Sequence, residues 1–283
     1  MRKALEASSS TRPRWGFLGL LMAALIEMLP GSWALAQDSS HLSVHDLAKL
    51  VQNPLADSVS IPFAFDANFP IGPYRQTAAV LNTQPVIPFE LNSEWNLVTR
   101  TTLPLMSQPR QSSFDGPTFG MGDVVPMLLL SPAHPGPLIW GVGPTFSLPT
   151  ASDHRLGAGQ WAAGPSAVGV IMPDPWVFGL LVSQWWSLGS VGRAPMNRTA
   201  AQLFIVCNFD SGWYVSSSPI VTADWSAAGR DRFVVPIGAE VGRVFEVGGQ
   251  AMSASAGLYY NAVRPTLGPE WQARLNLTLI FPH

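Results

Sequence analysis

The closing stretch of the chain, Trp271 to Phe281, alternates residue by residue between an apolar and a polar face. Trp271, Ala273, Leu275, Leu277, Leu279 and Phe281 fall on one side of an extended strand. Gln272, Arg274, Asn276 and Thr278 fall on the other, because successive side chains of a strand point in opposite directions. Only Ile280 breaks the polar series. A period of two leaves two settings: a half-buried strand of a soluble antiparallel sheet, whose apolar face meets a core, or a spanning strand of a membrane barrel, whose apolar face meets hydrocarbon. Eleven residues are enough to cross a bilayer as a tilted strand.

Composition favours the second setting. Charged residues make up 12% of the 283, against roughly 25% in soluble domains, and the mean hydropathy is +0.19. Beyond residue 36 no apolar run is long enough for a spanning helix, which needs about 18 residues. Alternation hides the membrane surface of a barrel in this way. A net charge of -2 supplies no basic footprint for nucleic acid, and Cys207, the only cysteine, cannot form an internal disulfide.

The N-terminus carries an export address. Arg2, Lys3, Arg12 and Arg14 precede an apolar run from Trp15 to Leu29 interrupted by Glu27, and Ala34-Leu35-Ala36 supplies a small-x-small cleavage site. The run is short for a permanent anchor. Residues 1–36 are therefore expected to be a signal peptide, 37–57 a periplasmic segment, and 58–283 the barrel. Within the segment, Ser43 to Gln52 reads as a short helix, with Ser43 as N-cap, Val44, Leu47, Leu50 and Val51 on one side, and Asn53-Pro54 as its stop.

Twelve strands are expected: Ser58 to Phe65, Ala78 to Phe89, Trp95 to Leu105, Phe119 to Leu130, Leu138 to Leu148, Trp161 to Met172, Trp176 to Ser187, Arg198 to Phe209, Trp213 to Trp225, Asp231 to Gly242, Gln250 to Asn261, and Trp271 to Phe281. The fourth, seventh and eighth alternate poorly, so ten to fourteen strands fit. Compact connections at 91–94, 131–137, 173–175, 210–212 and 243–249 alternate with mostly longer ones at 66–77, 106–118, 149–160, 188–197, 226–230 and 262–270. Short turns at one end and long loops at the other are the pattern of an outer-membrane barrel. Tryptophan repeats it: Trp95, Trp140, Trp176 and Trp213 stand near short-turn ends, and Trp161, Trp186, Trp225 and Trp271 near long-loop ends, as two interfacial belts require.

Six pieces of the chain carry a resemblance: Gln84-Pro85-Val86-Ile87-Pro88-Phe89, Trp95-Asn96-Leu97-Val98-Thr99-Arg100, Phe119-Gly120-Met121-Gly122-Asp123, Leu138-Ile139-Trp140-Gly141-Val142-Gly143-Pro144, Gly157-Ala158-Gly159-Gln160-Trp161, and Gly268-Pro269-Glu270-Trp271. Together they resemble a group of exported bacterial proteins often labelled neuromedin U, similar to the outer-membrane proteins associated with meta-pathway phenol degradation. The resemblance spans roughly residues 45 to 283. It implies a porin-like barrel in outer-membrane lipid, inserted by the barrel-assembly machinery, and it implies no solute and no site residue. Met121 stands where leucine is expected, and Pro282-His283 follow the terminal aromatic Phe281.

Motifs for chemistry are weak. His41 and His45 could share a helix face, but no third metal ligand is near in sequence. His134 lies in a short turn, and His154, beside Asp153 and Arg155, in a long loop. Gly141-Val142-Gly143 and Gly157-Ala158-Gly159 lack the strand-to-helix setting of a phosphate loop, and no helix follows Gly164-Pro165-Ser166 as a nucleophile elbow demands. No catalytic residue, metal or cofactor is assigned. The polar residues expected to face a lumen are Arg100, Asp224, Glu240, Arg274 and Asn276. An interior so sparing in charge suits small, weakly polar or aromatic solutes, and the expected function is a passive porin-like channel. Two alternatives are a structural barrel with an occluded lumen and a hydrolase at the rim using His154. On this register Arg274→Leu is expected to be tolerated, whereas Leu277→Arg, aimed at hydrocarbon, should cost about 2–4 kcal/mol near the midplane.

Overall fold

A computed structural model of the chain describes residues 44–110, 112, 114, 116–189 and 194–282; the expected signal peptide and its cleavage site lie outside them. A helix, α1 (Val44–Gln52), precedes fifteen hydrogen-bonded segments: β1 (Ser58–Ile71), β2 (Gln76–Thr83), β3 (Val86–Glu90), β4 (Trp95–Gln108), β5 (Thr118–Met121), β6 (Val125–Pro132), β7 (Leu138–Ser147), β8 (Ala162–Ile171), β9 (Trp176–Ser187), β10 (Asn197–Asn208), β11 (Trp213–Ser217), β12 (Ile220–Asp224), β13 (Phe233–Val247), β14 (Gln250–Val263) and β15 (Trp271–Pro282). Three pairs are halves of single wall strands. Gln84-Pro85 divides β2 from β3 and Ser218-Pro219 divides β11 from β12, since proline has no N–H to give the ladder. Gly122-Asp123-Val124 divides β5 from β6. The result is a closed antiparallel barrel of twelve strands, sealed by an unbroken ladder between β1 and β15 from Ser58↔Pro282 to Phe69↔Trp271.

All twelve strands coincide with the expected segments, but two connections do not. The region 66–77 is mostly wall: β1 continues to Ile71, and the turn is confined to 72–75, where Gly72 and Arg75 take positive φ. Asp66, Asn68 and Pro70 look like loop residues, yet Phe63, Phe65, Ala67, Phe69 and Ile71 sustain the apolar face beside them. Likewise β13 runs to Val247, leaving Gly248-Gly249, both at positive φ, as the whole turn to β14.

Outward side chains form an apolar jacket. On β15, Trp271, Leu275, Leu277 and Phe281 are exposed while Arg274 and Ile280 are buried inside. Ile280 breaks the polar series for a reason visible only in three dimensions. Near the short-turn end the lumen is filled: Leu47 and Ala48 of α1, with Leu55, join a buried cluster with Val98 of β4, Leu129 of β6, Val170 of β8, Val177 of β9, Val244 of β13 and Ile280. These come from strands all round the ring, so the helix sits within the barrel. The weak alternation of β9 has the same origin, because Val177 and Leu181 point at this plug while Trp176, Phe178 and Leu180 point out.

Candidate functional site: a polar chamber above the internal helix

The inward face changes character along the barrel. Beyond the plug, the inner face of β13, β14 and β15 becomes polar; its buried members Glu240, Tyr259 and Arg274 turn to one another, while Ser253 Oγ meets Tyr214 Oη at 2.9 Å. Arg274 Nε donates to Asp66 Oδ1 at 2.7 Å, and Gln272 Nε2 donates to the same oxygen at 2.8 Å. Arg274 Nη1 donates to the Ser218 carbonyl at 3.0 Å and lies 3.7 Å from Glu240 Oε1. Glu240 in turn accepts from Tyr259 Oη at 2.6 Å, from Ser255 Oγ at 2.8 Å and from Asn276 Nδ2 at 2.7 Å. The Arg274 guanidinium also lies 5.0 Å from the centre of the Tyr259 ring. Two carboxylates thus share one guanidinium, and both are further satisfied by neutral donors, the condition under which buried charge persists.

Register explains why these groups meet. Asp66 and Arg274 are direct partners across the β1–β15 seam, and Glu240 is the partner of Gly257 across β13–β14. Gly257 is required there: a Cβ would stand 2.3 Å from Glu240 Cγ, which lies across it.

Arg100 belongs to a different part of the same chamber. It pairs with Val86 in the β3–β4 ladder, and its Nη2 donates to Gln84 Oε1 at 2.5 Å. No carboxylate stands within ion-pair distance of it among the described residues. Asp66, Arg100, Glu240, Arg274 and Asn276 all line one cavity of about 270 Å³. Its floor is the end of α1 and the two residues after it, Val51 to Pro54, fixed where the Gln52 and Asn208 amides donate to each other at 2.7 and 2.9 Å.

Asp224 is not part of this chamber. It ends β12 at the long-loop rim, where Arg198 Nε donates to its Oδ2 at 2.9 Å. Parity shows which face a residue takes but not its height along the barrel. Conversely, Asp66 falls within the expected connection 66–77 yet lies on β1, and Tyr259 and Gln84 join the chamber beyond the five expected residues. The signal for Asp66 was the unbroken alternation of Phe63 to Ile71 around it.

At the rim, the connection between β7 and β8 folds back against β5. The Asp123 carboxylate accepts the N–H groups of Ala151 at 3.1 Å and Ala158 at 2.6 Å, and Ser152 packs on Gly120, which has no Cβ to obstruct it. The two glycine-rich pieces that bear Asp123 and Ala158 are therefore partners in one loop anchor. His154 lies in the same connection, its Nδ1 3.3 Å from Asp153 Oδ1. The Arg155 guanidinium and backbone N–H hold that carboxyl well below the usual carboxylate range. His134 stands in the turn between β6 and β7, His41 lies outside the described residues, and no cluster of three metal-ligating side chains occurs among the described residues.

A closed twelve-stranded ring with an apolar exterior, short turns at one end and an internal segment at that same end can be set beside solved structures. It has the fold of an outer-membrane channel. The crystal structure of an outer-membrane channel from Pseudomonas putida F1 superposes with a TM-score of 0.60 at 17% identity, covering 79% of this chain and 95% of that one. The outer-membrane phospholipase A of Escherichia coli gives a TM-score of 0.45 at 14% identity, over 84% and 98% of the two chains. The Pseudomonas putida toluene transporter TodX gives 0.42 at 10% identity, over 83% and 93%. No family model and no curated protein matches the sequence.

Proposed function

We propose that the protein is exported by its N-terminal signal, is inserted into outer-membrane lipid by the barrel-assembly machinery, and acts there as a passive porin-like channel for small, weakly polar or aromatic solutes. The observation that carries this reading is the polar chamber inside a wall whose outward face is apolar. A polar chamber has no use in a barrel that only anchors itself, and its carboxylates are engaged by hydrogen bonds rather than poised over a nucleophile. The N-terminal segment sets the resting resistance, since α1 fills the short-turn end.

The test is solute swelling and single-channel conductance of the purified protein in liposomes, with and without residues 37–57. Full-length protein should pass small solutes slowly, and removal of the segment should raise the flux. A second reading, an occluded structural barrel, is favoured by the apolar seal around Leu47 and Ala48. Absence of flux in both forms would establish it and refute the channel. Ester hydrolysis lost on His154→Ala would instead place an enzyme at the rim.

A further inference from the structure

Among the described residues, the chamber holds one cation with no ion-pair partner. Arg274 is shared between Asp66 and Glu240, but the guanidinium of Arg100 has Gln84 as its side-chain acceptor and no carboxylate within ion-pair distance among the described residues. Among the described residues, the ion pairs of the two chamber carboxylates, Asp66 and Glu240, are with Arg274 and not with Arg100. A cation kept in a confined interior without a counter-charge is retained at a cost unless water or a ligand satisfies it. Around it the chamber wall is partly apolar: Val86, Phe204, Val206 and Ile220 line the same cavity, with Pro54 at the floor.

We propose that Arg100 and Gln84 form the anchoring end of a lumenal binding site for a small aromatic monocarboxylate. This names a solute for the channel proposed above and rests on that reading. The planar fork of arginine matches a carboxylate through two parallel N–H···O bonds, which a point-charge ammonium cannot reproduce. Charge limits the ligand to a monoanion, because Asp66 and Glu240 with Arg274 leave the rest of the chamber one negative charge in excess. Volume limits it to about one ring: the 270 Å³ available lies just under the range of about 300–1,000 Å³ typical of drug-sized ligands. The apolar side chains receive the ring while the guanidinium takes the carboxylate.

Isothermal titration of the full mature protein in detergent micelles at pH 7 tests this, with benzoate, benzyl alcohol and acetate as probes. Benzoate should bind saturably and at least about tenfold more tightly than either the neutral ring or the ringless acid. Arg100→Gln should weaken benzoate by about tenfold or more and leave benzyl alcohol unchanged. Should Arg100→Gln fail to reach the heat-modifiable folded form, Arg100→Lys carries the test: it keeps the charge but loses the fork, and benzoate should weaken several-fold with benzyl alcohol unaffected. Absence of saturable benzoate binding, equal affinity for benzyl alcohol or acetate, or benzoate affinity unchanged in the folded Arg100 variant would overturn the proposal. Binding in micelles is read without flux, so loss of the channel reading alone leaves the site standing, and failure to bind alone leaves the channel standing.

Discussion

Replacing Arg274 with leucine tests the interior most directly, and the structure reverses the expectation drawn from strand parity. Parity treats a polar inward residue as exchangeable. The structure shows Arg274 with its side chain 7% exposed, 2.7 Å from Asp66 and 3.7 Å from Glu240, whose side chains are 11% and 4% exposed. Arg274→Leu removes the only cation that, among the described residues, is paired with either. Breaking a buried pair by deleting one partner costs about 3–5 kcal/mol, chiefly from the charge left behind. Glu240 keeps Tyr259, Ser255 and Asn276 as donors and Asp66 keeps Gln272, so the lower end of that range applies, about 3 kcal/mol. The assay is reversible guanidinium unfolding of the barrel in lipid vesicles, followed by tryptophan fluorescence. Asp66→Asn combined with Arg274→Leu should recover roughly 1 kcal/mol or more of the loss, because one of the two stranded charges is then gone. A single variant within about 1 kcal/mol of the parent, or a double variant no better than the single one, would refute the account of this network.

Three further outcomes use the same protein. Leu277→Arg directs a cation into hydrocarbon and should cost about 2–4 kcal/mol if near the midplane; folded yield in membranes equal to the parent would mean that the outward face is misassigned. Gly257→Ala places a Cβ 2.3 Å from Glu240 Cγ and 2.6 Å from the Ala239 carbonyl oxygen, an overpacking that should cost about 1–3 kcal/mol by the same titration, and an unchanged midpoint would argue against the close approach. At the rim, the backbone N–H and hydroxyl of Thr266 hold the Asp231 carboxyl below its ordinary value. A depressed value means that the loop contact is complete above about pH 4 and is lost as pH falls through the lower, folded value. The Thr266 amide resonance should therefore titrate below about pH 3.9, with Asp231→Asn abolishing the effect; a midpoint at or above that value would contradict it.

The wall was legible in the sequence because its signal is local. Alternation, turn residues and tryptophan placement each act within a dozen residues or fewer, and together they located all twelve strands. The interior was only half legible. Arg100, Glu240, Arg274 and Asn276 declared their face by parity, but which of them would meet was not local: Arg274 and Asp66 pair across the seam from 208 residues apart. The helix was legible as a helix and not as a plug. An amphipathic segment with Leu47 and Leu50 on one side reads alike whether that side meets a soluble lid or the inside of a barrel. Ile280 and the apolar inner residues of β9 were the trace of the plug in the sequence, and they read as irregularities because the surface that they pack against belongs to another part of the chain.

The β1–β15 seam has a consequence for how the molecule is made. Both side chains that donate to Asp66, Arg274 and Gln272, are carried by β15. Before the first and last strands pair, Asp66 is a bare carboxylate on an open sheet edge, and Arg274 lacks the nearer of its two counter-ions. The helix is joined to β1 by residues 53–57 and packs inside the closed ring. Pairing of the two edges thus closes the ring and brings Asp66 both of its β15 donors in the same step, and an assembly factor that delays that pairing delays both.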